Sequence, residues 1–281
     1  MKKNLLLMMF AALFIGCSSS DSDDDNNDNN NGNTPGSKKR VSEINIVYSD
    51  PEDDYSYNFF YDKNGAVEKI IETGTDGPEL TTDTYTFKRS GNTLNVSFEW
   101  KGEYTSTKKT STIQADFTCP LNKDGYATEV KYEYTDEDGY LCEFHDGISY
   151  TNGYVTKMYA ESWYDGDEDG GNGEYEFIWK DGNLTKTGFD ESESMIYSTI
   201  ENKSGIDLFL SFNGLCLHWA GYMGKSNKNL IESWTENDWR EGGTYYFEYE
   251  FDKDGYVIVQ HAYEKRNGQK ELDHSTYFKY E

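Results

Sequence analysis

Phe59-Phe60-Tyr61-Asp62-Lys63-Asn64-Gly65-Ala66-Val67 decides the fold, and Tyr249-Glu250-Phe251-Asp252-Lys253-Asp254-Gly255-Tyr256-Val257 is nearly its duplicate. In both, an aromatic-alternating run meets a polar turn ending in Gly and then a second apolar-alternating run. Looser copies lie between them, at Tyr132-Glu133-Tyr134-Thr135-Asp136-Glu137-Asp138-Gly139-Tyr140-Leu141, Tyr150-Thr151-Asn152-Gly153-Tyr154-Val155 and Trp179-Lys180-Asp181-Gly182-Asn183-Leu184. Asn-Gly and Asp-Gly supply the positive backbone angles that two-residue hairpins require, so each copy predicts a β-hairpin.

In Tyr132-Glu133-Tyr134 and Tyr175-Glu176-Phe177 the rings fall on one face and the carboxylates on the other. Such strands have one buried and one wet side, which antiparallel sheets tolerate and parallel sheets do not. The glycine spacing is unequal, so hairpins of different length are expected, not a strict solenoid or propeller. Hairpin signals give on the order of fourteen to sixteen strands. An open sheet that long must curl, split or close to hide its edges. A round barrel would leave a wide lumen, yet the inward rings need apolar contacts. The expected fold is therefore all-β, an antiparallel meander over residues 41–281 closing into a flattened or plugged barrel-like domain. The stretch Leu215 to Leu230 breaks the β rhythm and reads as the plug, a short apolar turn or helix followed by a loop. Its Trp219, with Trp234 and Trp239 nearby, supplies candidate ligand contacts; the competing reading of each ring is plain core.

The amino-terminal segment concerns location. Lys2 and Lys3 precede the apolar run Leu5 to Ile15, which is too short to span a bilayer as a helix and ends at Gly16-Cys17. Residues 1–16 read as a signal peptide. A small residue before the lone cysteine resembles a bacterial lipobox, which implies that Cys17 becomes the lipidated amino terminus; an ordinary secretory signal is the competing reading. Residues 17–40 are dominated by Ser, Asp, Asn and Gly and are expected to form a disordered acidic tether. Its acidic cluster resembles surface-export signals of Gram-negative lipoproteins. The expected location is the outer membrane, on the periplasmic side or at the cell surface, with the membrane as partner through the anchor.

Composition narrows the function classes. With 52 acidic against 26 basic residues the formal net charge is −26, which excludes nucleic acid as a partner and favours cationic ones. The 24 Tyr, 15 Phe and 6 Trp provide an aromatic core. The hairpin geometry puts a third strand between Cys119 and Cys142, beyond disulfide reach, so buried free thiols are expected there and at Cys216.

Together, the lipoprotein start, the Tyr-Asp-x-x-Gly hairpins, Gly221-Tyr222-Met223-Gly224-Lys225-Ser226 with Asn229-Leu230, and the ending resemble a family of bacterial lipoproteins of unknown function with a porin-like fold. The hairpins also weakly resemble the Tyr-Asp repeats of Rhs-type proteins. The resemblance implies an antiparallel barrel-like domain and brings no catalytic residues. A transmembrane barrel is disfavoured by the redundancy of a lipid anchor and by the short loops.

One local motif carries chemistry. Asp165-Gly166-Asp167-Glu168-Asp169-Gly170, five residues before Glu176, has calcium-loop spacing, with Asp165, Asp167, Asp169 and Glu176 as metal-ligand candidates for weak calcium binding. Its flanks read as strands, and a solvated acidic hairpin tip is the competing reading. His145, His218, His261 and His274 have no zinc spacing, and no nucleophile elbow or phosphate loop occurs. The sequence thus predicts an envelope or cell-surface binding or structural module for a glycan or peptide ligand, with no other cofactor. A carbohydrate-active or other hydrolase using acidic residues is the alternative.

Overall fold

The computed structural model describes residues 14–15, 39–49, 54–76, 79–105, 107–136, 139–168, 172–187, 193–207, 216–235, 243–266 and 269–281. In chain order the strands are β1 (Phe14–Ile15), β2 (Val41–Tyr48), β3 (Tyr55–Tyr61), β4 (Val67–Asp76), β5 (Glu79–Ser90), β6 (Thr93–Tyr104) and β7 (Thr110–Pro120). There follow β8 (Glu129–Thr135), β9 (Leu141–Thr151), β10 (Tyr154–Tyr164), β11 (Asp167–Glu168), β12 (Gly173–Glu176), β13 (Ile178–Lys180) and β14 (Asn183–Lys186). The last are β15 (Ser194–Glu201), β16 (Ile206–Asp207), β17 (Asn229–Thr235), β18 (Thr244–Phe251), β19 (Val257–Arg266) and β20 (Gln269–Tyr280). No helix occurs among the described residues. The anchor Cys17 and the tether lie outside the described residues except for Lys39 and Arg40, while β1, inside the expected signal segment, pairs with β16.

The repeated hairpins use two turn chemistries. Asn152-Gly153 and Asp181-Gly182 both have positive φ at both residues, as the two-residue reading requires. The Tyr-Asp-x-x-Gly copies instead make a longer turn. The Gly65 N–H donates to the Asp62 carbonyl (3.0 Å) and the Asp62 N–H to the Ala66 carbonyl (2.8 Å), with only Gly65 in the left-handed region. The aspartate is the reason: Asp62 Oδ1 accepts from the N–H groups of Asn64 (2.8 Å) and Ala66 (3.0 Å). Asp252 does the same with Asp254 (2.8 Å) and Tyr256 (2.9 Å), and Asn122 with Asp124 (2.9 Å) and Tyr126 (3.0 Å). An aspartate or asparagine that closes its own turn fixes where each strand stops.

Eleven strands form one antiparallel sheet in the order β15-β17-β18-β19-β20-β2-β3-β4-β5-β6-β7. The last strand thus pairs with the first of the domain, Phe278 opposite Ile44 and Thr276 opposite Ile46. The sheet is not closed, since β7 and β15 are its edges. The strands from β8 to β14 follow as a smaller sheet and a separate β13–β14 hairpin. Scattered bonds join these pieces, among them Thr128 N–H to the Pro120 carbonyl (2.9 Å), Phe177 N–H to Thr156 (3.0 Å), Lys228 N–H to Gly182 (2.9 Å) and Asn229 N–H to Asn183 Oδ1 (2.9 Å). The wall is therefore barrel-like, with its seams where the ladder lapses.

Residues 216–223 enter the interior, and 224–228 lead back out to β17 with Lys225 and Lys228 exposed. The Ala220 N–H donates to the Cys216 carbonyl (3.0 Å), making one apolar turn that buries Leu217, Trp219, Ala220, Tyr222 and Met223. The Trp219 ring meets Tyr57 edge-on at 4.3 Å and Phe59 at 5.9 Å, while Tyr222 packs on Phe87 at 6.1 Å. Its backbone also ties two walls, through Ala127 N–H to the Tyr222 carbonyl (2.8 Å) and Lys225 N–H to Gly153 (2.7 Å). Gly224 is obligatory here: its φ is +89°, and an added Cβ would sit 2.8 Å from the Gly153 oxygen. The plug joins Ile44, Val67, Ile70, Leu94 and Val96 in one continuous core. Cys119, Cys142 and Cys216 are all free thiols.

Candidate functional site

Alternation along β4 and β5 puts two carboxylates among the inward-facing rings. Tyr85 and Phe87 are buried on the inner face of β5, so Asp83, two residues earlier, faces inward as well. Ile70 and Gly74 bracket Glu72 in the same way on β4. The ladder places Glu72 directly opposite Asp83, with Cβ atoms about 5 Å apart on one face. The Tyr57 hydroxyl donates to Glu72 Oε1 (3.0 Å), and the Tyr85 hydroxyl to Asp83 Oδ2 (3.2 Å). Asp83 Oδ1 is buried and has no hydrogen-bond partner among the described residues.

Electrostatics follow from burial of like charges. Burial, reinforced by the neighbouring Asp83 and opposed by the Tyr57 hydrogen bond, pushes the Glu72 carboxyl up to about 8. Burial likewise raises Asp83 to about 7, against the Tyr85 hydrogen bond. The two titrate as one pair that retains protons near neutrality. Cys216, at the start of the plug, is the nearby thiol; burial and then the two carboxylates push it far above its ordinary value, so it is a poor nucleophile.

The wall on either side of the pair is shaped by glycines. The Tyr55 ring lies over Gly74, where an added Cβ would meet it at 2.5 Å, and an added Cβ at Gly102 would meet the Trp100 ring at 2.6 Å and, closer still, the Glu79 carboxylate. Trp100 is the ladder partner of Asp83 on β6. Both rings are only partly buried, as are Glu72 and Asp83, whereas Ile44, Ile70 and Leu94 further along the same inner face are fully covered. The rung through Gly74 and Tyr55 continues through Ile46 and Thr276 to Gln260. Thr276 is 0% and Gln260 1% exposed, and among the described residues neither Thr276 Oγ1 nor the two polar atoms of the Gln260 amide have a hydrogen-bond partner.

The residues singled out by spacing do not gather at this place. Asp165 (φ +51°) and Gly166 (φ +83°) form the tip between β10 and β11, and Asp167 stands opposite Tyr164. Glu176 stands opposite Lys157, seven residues back along β10, about 23 Å away at strand rise. The calcium-loop spacing therefore does not bring Asp165 and Asp167 to Glu176, because the intervening residues return as strand β12 and not as a helix-flanked loop. Asp169 lies outside the described residues. Trp219 is core, 2% exposed. Trp234 donates from Nε1 to Glu193 Oε1 (2.9 Å) and stacks on Tyr245 at 5.4 Å. Trp239 lies outside the described residues. A separate groove of about 690 Å³ follows the seam between β7 and β8, lined by Asp116, Glu129, Tyr132, Glu143, Phe144 and His145, and does not include the Glu72–Asp83 pair.

No protein-family model matches the chain, and no curated protein matches it. A porin-like protein from Bacteroides uniformis ATCC 8492 superposes with a TM-score of 0.56 at 17% identity, covering 86% of this chain and 98% of that one. The chain shares that porin-like fold. A second porin-like protein, from Bacteroides vulgatus ATCC 8482, aligns at a TM-score of 0.31 and 12% identity over 86% of this chain and 99% of that one, too distant to argue from. The all-β, antiparallel, porin-like expectation is thus met, with the correction that the main sheet is open. Sequence reasoning passed over Glu72 and Asp83 because paired acids are common among 52. The signal was phase: Asp83-x-Tyr85-x-Phe87 sets a carboxylate in the ring register, the reverse of Tyr132-Glu133-Tyr134.

Proposed function

We propose that this protein is a lipid-anchored component of the cell envelope that captures a small ligand inside a plugged β scaffold. The observation that carries the reading is the Glu72–Asp83 pair, two inward carboxyl groups flanked by partly buried rings and without a basic partner among the described residues. A purely structural wall would gain nothing from such a pair, since unneutralised buried carboxyls are costly. The filled interior argues for holding a ligand and against conducting one. Binding is favoured over turnover, because each carboxyl already accepts a tyrosine hydroxyl and the adjacent Cys216 thiol is held protonated.

The anchor rests on the lipobox-like Gly16-Cys17 and the acidic stretch after it. Expressed in a Gram-negative host, the chain should partition with membranes, and Cys17→Ser should release it; a membrane-bound Cys17→Ser form overturns the anchor. The binding reading is tested by thermal-shift screening of the detergent-solubilised full chain against small envelope-accessible metabolites. A stabilising compound whose effect is lost in Glu72→Gln supports it. Conversion of that compound to products would favour the hydrolase instead. Stepwise conductance in planar bilayers would overturn the plugged reading.

A further inference from the structure

We infer that the Glu72–Asp83 end of the inner wall is a binding site for an organic ammonium group. This rests on the interior-binding reading above and names the chemistry of its ligand. The two carboxyl groups face the same side from paired positions on β4 and β5, and among the described residues no lysine or arginine pairs with either. The charged and titratable groups around them are Tyr57 and Tyr48 from β3 and β2, Tyr85 and, over Gly102, Glu79 from β5, Cys216 from the plug, and His274 of β20, whose ring packs on Tyr48 at 5.0 Å. No described lysine or arginine is among them, and His274, the one base, is already engaged through Nδ1 with Asp273 Oδ2 at 2.7 Å. An incoming ammonium group would meet two carboxylates and the free Asp83 Oδ1.

The flanking rings point the same way. Tyr55 and Trp100 lie down on Gly74 and Gly102, positions where any Cβ would push them off the wall. Aromatic faces beside carboxylates are the usual surroundings of an alkylammonium ion, and both the quadrupole and the apolar ring suit its methylene chain. The match is an alkylammonium group, on a free aliphatic amine or on a lysine side chain presented by a peptide, which share the ammonium chemistry. A hard metal ion fits less well, because the described His, Cys, Asp and Glu residues form no cluster of three or more that could hold one.

Binding to the ionised pair must expel the protons that the pair retains when empty. The experiment is isothermal titration calorimetry of the detergent-solubilised full chain with spermidine and, separately, with trilysine, using maltotriose and calcium chloride as comparisons. At pH 8 an amine should bind with a dissociation constant of about a millimolar or below. Its affinity should fall about tenfold or more by pH 6, and its enthalpy should change with the ionisation heat of the buffer. Glu72→Gln and Asp83→Asn should each weaken binding at least about tenfold, with near-UV circular dichroism confirming that both variants are folded. Spermidine alone would identify a free amine and trilysine alone a peptide; either supports the inference. It is overturned if neither amine gives heat at millimolar concentration, or if both variants bind like wild type. If maltotriose or calcium gives the Glu72-dependent heat instead, the ammonium assignment fails while interior binding stands; if a screen yields no ligand sensitive to Glu72 or Asp83, interior binding itself fails.

Discussion

Replacing Glu72 by glutamine keeps the shape of the side chain and an acceptor for the Tyr57 hydroxyl at 3.0 Å, and removes only the charge. The native Glu72 carboxyl is pushed from its ordinary 4.5 up to about 8, by burial first and by Asp83 second. Between those values the folded chain holds a proton that the unfolded chain has released. Unfolding free energy then falls as pH rises, by about 1.4 kcal/mol per pH unit for a full proton. From pH 5 to pH 8 the ceiling is about 4 kcal/mol. Because the carboxyl is only partly buried by surface area, screening by solvent should reduce this to about 2 kcal/mol. The amide of the Glu72→Gln variant does not titrate, so that variant should match wild type near pH 5 and exceed it by about 2 kcal/mol at pH 8. Urea unfolding followed by tryptophan fluorescence at pH 5, 6, 7 and 8, on both proteins in the same buffer series, measures the difference. Parallel stability curves across that range would refute the reasoning, since they would mean that Glu72 ionises in the fold as it does in water.

Three further outcomes follow from other parts of the molecule. Trp219→Ala should cost about 3 to 5 kcal/mol by emptying the space against Tyr57 and Phe59, read as a drop in the urea midpoint. Gly224→Ala should cost about 2 kcal/mol or more, because φ is +89° and the new methyl meets the Gly153 oxygen; unchanged melting would mean that the plug is not fixed to β9 and β10 as described. Millimolar calcium should leave the melting temperature unaltered and Asp167→Ala with Asp169→Ala should not change that, because Glu176 is bound into the ladder opposite Lys157; a calcium-dependent rise lost in the double variant would contradict the β10–β12 register.

Much of the architecture was legible because it is written in short-range chemistry. Tyr61-Asp62-x-x-Gly65 and Asn152-Gly153 encode their turns through one side chain and one backbone angle, so hairpins, strand direction and inner face can be read locally. Most of the plug was legible too, since a loss of alternation between Leu215 and Leu230 in an aromatic β chain marks a segment outside the strands, although Asn229 and Leu230 already belong to β17. The type of turn was not: whether Asp62 makes a two- or three-residue turn depends on which N–H groups its carboxylate reaches. Nor was closure. Phe278 meets Ile44 across more than two hundred residues, while the ladder lapses between β7 and β8 within eight, and no local pattern distinguishes those cases. The site shows the same division. The residues Asp165 to Glu176 have the right spacing and the wrong register, because spacing along a chain becomes proximity only if the loop folds back on itself. Glu72 and Asp83 are eleven positions apart with no motif between them, and the β4–β5 ladder makes them neighbours. Their inward phase was already present in the sequence; that two inward carboxyls share one rung, beside Tyr57, Tyr85 and Cys216 and with no described base to meet them, was decided by strand register and by the plug, which only the folded chain brings together.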